Sequence, residues 1–181
     1  MVDKDKDLIA ALKVVDKREM AFQLLVKTYQ QRLYWHIRKI VINHDDADDL
    51  MQNVFIKVWK SIDNFREDST LFTWLFRIAT NESLSFLQQK KRRNMLSLDG
   101  NSDYLVEAFE SDAHFEGEAL QKRLQLAVLQ LPEKQRLVFN MKYYDEMKYE
   151  EMAEILKTSV GALKASYHHA VKKIEAHFEE E

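Results

Sequence analysis

Five side chains between positions 74 and 88 are of the kinds that hold nucleic acid. Trp74, Arg77, Asn81, Ser85 and Gln88 fall at spacings that a helix places on one face. An aromatic ring stacks an unpaired base, a guanidinium holds a phosphate, and an amide reads a base edge. The stripe runs into Lys90, Lys91, Arg92 and Arg93, four cations suited to a phosphate backbone. The plainer reading is that Trp74 fills core space and the rest is a solvated face. A second group lies in Tyr149–Ile174, which reads as two short helices joined by a tight turn. Met152, Ala153 and Leu156 share a face of the first, and Val160, Leu163, Tyr167 and Ile174 recur along the second. Thr158 or Ser159 can cap that second helix. This is the layout of a helix-turn-helix, which sets its second helix in a DNA major groove, though a plain helical hairpin shares the pattern. A third group, His44-Asp45-Asp46-Ala47-Asp48-Asp49, offers oxygen ligands and an imidazole to a metal ion. Acids in the first turn of a helix also stabilise its dipole, which explains the run more simply. No second cluster completes a metal site, so no metal, cofactor or catalytic residue is expected.

These side chains need helices to carry them. The 181 residues include only three Gly and one Pro and show no run of strand-like alternation, so the expected fold class is all-α. There is no Cys, which excludes disulfides and thiolate metal sites and suits a reducing cytoplasm. No apolar run is long enough to span a membrane, and the charged N-terminus lacks a signal peptide's core. A cytoplasmic protein without membrane insertion is expected.

The formal net charge of −3 is unevenly spread. Residues 1–93 hold 17 Lys and Arg against 13 Asp and Glu. Residues 94–118 hold seven acids and no base, and residues 119–181 hold ten of each. Nucleic acid needs a local positive face rather than a basic protein. The acidic stretch has no clear apolar period and reads as a flexible linker between two small helical domains, 1–93 and 119–181.

In the front domain, Asp16 and Glu19 have capping-box spacing at the start of a long helix. Its inward stripe is Phe22, Leu25, Tyr29, Leu33, Ile37 and Ile40. A second helix starts near Asp45, with Ala47, Leu50/Met51, Val54 and Val58 inward. Its other face shows Asp48, Asp49, Gln52, Asn53, Ile56 and Lys57. After a break at Asp63–Thr70, Ser69 or Thr70 can cap a third helix with Leu71, Leu75, Ile78/Ala79 and Phe86 inward. In the back domain, Leu131-Pro132 opens a helix over Glu133–Tyr144.

The chain resembles extracytoplasmic-function sigma factors of the sigma-70 family, the two-domain promoter-recognition subunits of bacterial RNA polymerase. The segments DADDLMQNVFIKVW and FTWLFRIATN carry the front match, and LQLAVLQLPEKQRLVFNMKYYDEMKYEEMAEILKTSVGALKASYHHAVKKI the back match. The likeness covers about residues 18–93 and 120–175. The back domain also looks like Bacteroidetes-type variants.

The resemblance implies that the front domain is region 2-like. Asp48, Asp49, Gln52, Asn53, Ile56, Lys57 and Trp59 would then face the clamp coiled coil of the polymerase β′ subunit. Phe65, Ser69, Thr70, Trp74, Arg77, Asn81 and Lys90–Arg93 would hold the non-template strand of the minus-ten element, with a base flipped into a pocket near the break. The back domain would be region 4-like, contacting the β flap and the duplex minus-thirty-five element through Ser159, Gly161, Ala162, Lys164, Ser166, His168 and Lys172. An anti-sigma factor is implied as a further partner, and the acidic linker would follow the RNA exit path. The sequence departs from the family at Ser166, His169 and Val171, where many members carry Arg, so base-specific readout there is expected to be weak. Lys148 stands where a capping Ser or Thr is common. The competing readings are a stand-alone helix-turn-helix regulator and a metal-dependent hydrolase. Co-purification with core polymerase separates them from a sigma factor.

Overall fold

The computed structural model describes residues 2–94, 103–111 and 118–179, and every regular element among them is helical. The front domain holds four helices: α1 (Val2–Leu12), α2 (Val15–Val41), α3 (His44–Ser61) and α4 (Leu71–Asn94), with a single 3-10 turn at Ile62–Asn64 after α3. A short helix α5 (Asp103–Glu110) follows. The back domain holds α6 (Ala119–Leu129), α7 (Glu133–Tyr143), α8 (Tyr149–Leu156) and α9 (Val160–Glu179).

The period-3.6 stripes build the front core. Leu25, Tyr29, Leu33, Ile37 and Ile40 of α2 are buried, as are Ala47, Leu50, Val54 and Val58 of α3. Phe22 is only half-buried and packs edge-on against Phe55 and Trp59. On α4 the inward set is Leu71, Leu75, Phe76, Ala79 and Leu87, while Phe86 is half-buried. Leu87 takes the place expected for Phe86 because the inward stripe continues through the buried Thr80 and Ser83. Both hydroxyls donate to the carbonyl one turn back, at 2.7 and 2.9 Å, so neither costs an unpaired group. α1 adds Leu8, Ile9 and Leu12 to the same core and ties Asp5 to Tyr29 at 2.9 Å.

Local chemistry sets the helix starts. Thr70 Oγ1 accepts from Thr73 N at 3.1 Å and starts α4, and Asn43 Oδ1 accepts from Asp46 N at 2.9 Å and starts α3. The expected Asp16–Glu19 box does not form. α2 begins at Val15 without a side-chain cap, and Asp16 sits in its first turn, where the carboxylate meets the helix dipole.

The expected linker contains structure. Within α5, Leu105 and Phe109 stand one turn apart and are 1% and 5% exposed. They pack with Ile42 of the front domain and Leu129 of the back domain. The apolar period missed in the sequence is this single i, i+4 pair among acids. Residues 95–102 and 112–117 of the expected linker lie outside the described residues.

The two domains pack on one another. α8 lies along α4 and α7 meets α2. Leu137, Val138, Met141, Met147, Met152, Ile155 and Leu163 belong to the same buried cluster as the front core.

Candidate nucleic-acid interface

The break between α3 and α4 turns sharply enough to form a cleft. Glu67 in it has a positive φ of 62°, and Thr70 then starts α4. Phe65 is buried, and its ring centroid lies 5.0 Å from that of Trp74 at 39°. Trp74 is therefore half core and half cleft wall. Phe65, Ser69, Trp74 and Arg77 line an opening of about 390 Å³, with Asn64 and Arg66 also contributing and Glu154 of α8 joining from the back domain. Arg77 Nη2 donates to Ser69 Oγ at 3.2 Å and lies 3.9 Å from Glu154 Oε2. Its buried Nε has no acceptor among the described residues, so the guanidinium has donor capacity to spare.

Asn81, Ser85 and Gln88 continue along α4 as exposed side chains. Lys91, Arg92 and Arg93 are exposed at its end. Lys90 is engaged: its ammonium donates to Asp46 Oδ2 at 2.6 Å and lies 5.6 Å from the Phe86 ring centroid. The structure thus groups Phe65, Ser69, Trp74 and Arg77 round one cleft, puts Thr70 at its helix cap, and runs Asn81 and the three cations away from it.

The α3 face expected to meet a protein is open. Asp48, Asp49, Gln52, Asn53, Ile56, Lys57 and Trp59 are all exposed. Lys57 is paired with Glu82 of α4. Trp59 is fixed by Phe22 at 4.9 Å and by the Arg18 guanidinium, 4.8 Å over its ring. The His44–Asp49 run behaves as a helix start. His44 meets Tyr34 Oη at 2.6 Å and Asp48 at 3.5 Å, and no group of three metal-ligating side chains occurs among the described residues.

In the helix-turn-helix, Met152 and Ile155 are buried, with Ala153 and Leu156 half-buried beside them. Leu163, Ala170 and Ile174 anchor α9, and Val160 and Tyr167 are half-buried. The turn passes through Lys157 in the left-handed conformation, φ 50° and ψ 49°. Ser159 Oγ, rather than Thr158, accepts from Ala162 N at 3.2 Å. Gly161 faces open space, since an added Cβ would meet nothing within 4 Å. Ser159, Gly161, Ala162, Lys164, His168 and Lys172 are exposed, and Ser166 is half-buried. Lys148 provides no side-chain cap to α8, but Glu151 Oε2 accepts from Lys148 N at 2.9 Å and supplies half of a capping box.

Sequence reasoning missed one cluster. Asp145, between α7 and α8, accepts from His36 Nδ1 at 2.6 Å and from Lys39 Nζ at 3.0 Å. His36 Nε2 lies 2.8 Å from Thr80 Oγ1, and Asn140 Nδ2 donates to Lys39 O at 3.3 Å. Burial alone would raise the Asp145 carboxyl, but the charge and hydrogen bond of His36, then those of Lys39, outweigh it and hold it below the usual carboxylate value. The neighbouring Tyr144, whose ring lies 5.0 Å from the Lys39 ammonium, is pushed up to about 12 by burial and then by Tyr143. The available signal was His36 itself, a polar side chain inside the α2 apolar stripe that had to find a partner.

Comparison with known proteins agrees with this architecture. Residues 25–93 match the family model for Sigma-70 region 2, and residues 121–174 match that for Sigma-70, region 4. The chain is 31% identical over 184 residues to the ECF RNA polymerase sigma-E factor of Haemophilus influenzae, covering 94% of this chain and 93% of the relative. It is 28% identical over 181 residues to the RNA polymerase sigma-H factor of Pseudomonas aeruginosa, covering 96% and 93%. Identity to the ECF RNA polymerase sigma factor SigW of Bacillus subtilis is 30% over 156 residues, covering 82% and 83%. The fold is shared with the sigma factor RpoE of Bartonella quintana, solved with the anti-sigma factor NepR, at a TM-score of 0.71 and 22% identity over 87% and 96% of the chains. It is shared too with CnrH, solved with the cytosolic domain of CnrY, at a TM-score of 0.69 and 22% identity over 98% of each. A cleft lined by aromatic rings and a guanidinium, a helix-turn-helix and full-length likeness to these relatives converge on one assignment: this chain belongs to the extracytoplasmic-function sigma factors of the sigma-70 family, the promoter-specificity subunits of RNA polymerase.

Proposed function

We propose that residues 1–93 form the unit that joins core polymerase and captures the minus-ten strand, and residues 119–181 the unit that holds the minus-thirty-five duplex. The observation that carries this reading is the Phe65–Trp74–Arg77 cleft at the start of α4, with Asn81 exposed farther along the helix. Unpairing and unstacking a base costs a few kcal/mol. Apolar ring surface for the extruded base and cations for the flanking phosphates offset that cost and favour the melted promoter. Arg77, Lys91, Arg92 and Arg93 are the phosphate-holding groups, and Asn81 reads the strand. Lys90, tied to Asp46, is a lesser contributor.

The exposed α3 face, with Asp48, Asp49, Gln52 and Asn53 beside Ile56 and Trp59, is the docking surface for the β′ clamp. The open start of α9, with Ser159, Gly161 and Ala162, approaches a phosphate, and Lys164, Ser166, His168 and Lys172 follow along the groove. With no Arg on that face, sequence discrimination by α9 is weak. Polymerase, promoter DNA as duplex and single strand, and an anti-sigma factor are the partners. The last is proposed because one structural neighbour, the sigma factor RpoE of Bartonella quintana, was solved with an anti-sigma factor. The chemistry of RNA synthesis stays with the core enzyme, in the cytoplasm.

Run-off transcription with core polymerase tests this reading. Asn81→Ala is expected to cut promoter-dependent transcript about tenfold while leaving core binding intact, the loss of one base-reading contact of 1–3 kcal/mol. Asp49→Ala is expected to weaken core binding instead. Equal activity of Asn81→Ala and wild type at subsaturating promoter would overturn the assignment of the α4 face.

A further inference from the structure

We propose that the elbow between α1 and α2 is a brace for strand capture: Lys13 and Arg18 tie down the back of the break whose front lines the cleft. The inference rests on the role given above to that cleft. Both cations precede residue 25, where the match to Sigma-70 region 2 begins.

Asn64, Phe65, Arg66, Asp68 and Ser69 line the opening, and Glu67 between them does not. Its Oε1 instead accepts from Lys13 Nζ at 2.8 Å. Four residues earlier, Asp63 Oδ2 accepts from Arg18 Nη1 at 2.9 Å. The core holds this segment at few points. Ile62, Phe65 and Leu71 are buried, whereas Arg66, Glu67, Asp68 and Thr70 are exposed. Phe65 N donates to Ile62 O at 3.0 Å, but among the described residues Arg66, Glu67 and Asp68 make no backbone–backbone hydrogen bond. Glu67 also holds a left-handed φ of 62°, which a residue with a side chain keeps only where its surroundings hold it. A segment so loosely tied has several backbone paths close in energy. The two ion pairs choose among them and thereby set the shape of the opening.

A brace needs a fixed anchor. Leu12, just before the elbow, is fully buried, and Leu8 and Ile9 are buried a turn back. Lys13 N donates to Ala10 O at 3.3 Å and Val14 N to Ala11 O at 3.2 Å, which closes the elbow. Arg18, near the start of α2, also donates to Trp59 O at 2.8 Å and lies 4.8 Å over the Trp59 ring. It therefore fixes the end of α3, from which the break departs. Each exposed pair is weak alone, and the Lys13 and Glu67 side chains are 37% and 49% exposed. Weak pairs suffice here, because the brace chooses between conformations of one loop and does not hold up the fold.

Lys13 and Glu67 are the residues to test, since Arg18 also holds Trp59 on the face proposed for docking. Holoenzyme reconstituted with core polymerase is mixed with single-stranded 12-mers of random sequence, and the retained strands are sequenced. Preference is the ratio of the most to the least favoured base at the best-read position. Lys13→Glu and Glu67→Lys are each expected to cut that preference about threefold, the scale of one exposed ion pair. The charge-swapped double variant Lys13→Glu/Glu67→Lys is expected to restore it. Melting temperature and core binding are expected to stay at wild-type values throughout, which separates positioning from folding. A charge effect without a brace gives another pattern: Lys13→Glu would weaken, and Glu67→Lys strengthen, retention of every sequence alike. That pattern, or a double variant as flat as the single ones, would overturn the proposal. Arg77→Ala separates the two readings. If it leaves retention unchanged, the role of the cleft fails and the brace with it. If it lowers retention while Lys13→Glu and Glu67→Lys keep wild-type preference, the cleft stands and the brace falls.

Discussion

Asp145 answers His36 and Lys39 of the other domain from a position one turn of chain before α8, and its own ionisation follows from them. Because its carboxyl is held below the ordinary value in the folded protein, the stability it contributes is present above the usual carboxylate range, about pH 4, and is lost as pH falls through the lower value. The melting temperature of the protein is therefore expected to hold at pH 5 and to fall on acidification below about pH 4. Asp145→Asn should lessen that acid loss. Equal acid sensitivity of Asp145→Asn and wild type would contradict this role for Asp145. At this scale the sequence was partly legible. Arg77 and Asn81 stood out because a solvent face with a regular chemical theme is visible as a stripe. His36 did not, because a lone histidine in an apolar row reads as core. Its partner is more than a hundred residues away, and no local pattern points to Asp145 or Glu154.

The elements show where short-range chemistry is enough. α3 follows from its apolar period and an Asn cap, and α7 starts at the residue after Pro132. α1 was missed because five charges in its eleven residues hide the buried Leu8, Ile9 and Leu12. The helix-turn-helix turns at Lys157 with φ at 50°, where a side chain is strained and glycine is not. Lys157→Gly is expected to stabilise the protein by about 0.5–1 kcal/mol, a rise of roughly 1–4 °C in Tm for a chain of this size. A lowered melting temperature would mean that the exposed Lys157 side chain makes a contact that outweighs the strain. The same turn sets how α9 leaves α8, so the substitution should leave DNA affinity unchanged where the backbone path is kept.

The whole molecule behaves as one body because its domains share a core. Met152 and Ile155 of α8 and Leu163 of α9 are buried in a cluster that also holds Leu33 and Phe76 of the front domain. Thermal unfolding of the free protein is expected to give a single transition. Met152→Ala should destabilise both halves together by about 2–5 kcal/mol, as calorimetry would measure. Two transitions in the wild type, with only the later-folding half shifted by the mutation, would contradict a common core. Sequence patterning could show that each domain has an apolar face but not that the faces meet, since pairing of distant surfaces leaves no periodic trace. The helix α5 has a further consequence. Its eight residues are coiled at about 1.5 Å each and pinned by Leu105 and Phe109 to both domains. Drawn out as extended chain at roughly 3.3–3.6 Å per residue, they would gain about 15 Å of reach. α5 is thus a reel of spare chain, and the distance over which the two domains can part depends on whether that reel is wound or paid out.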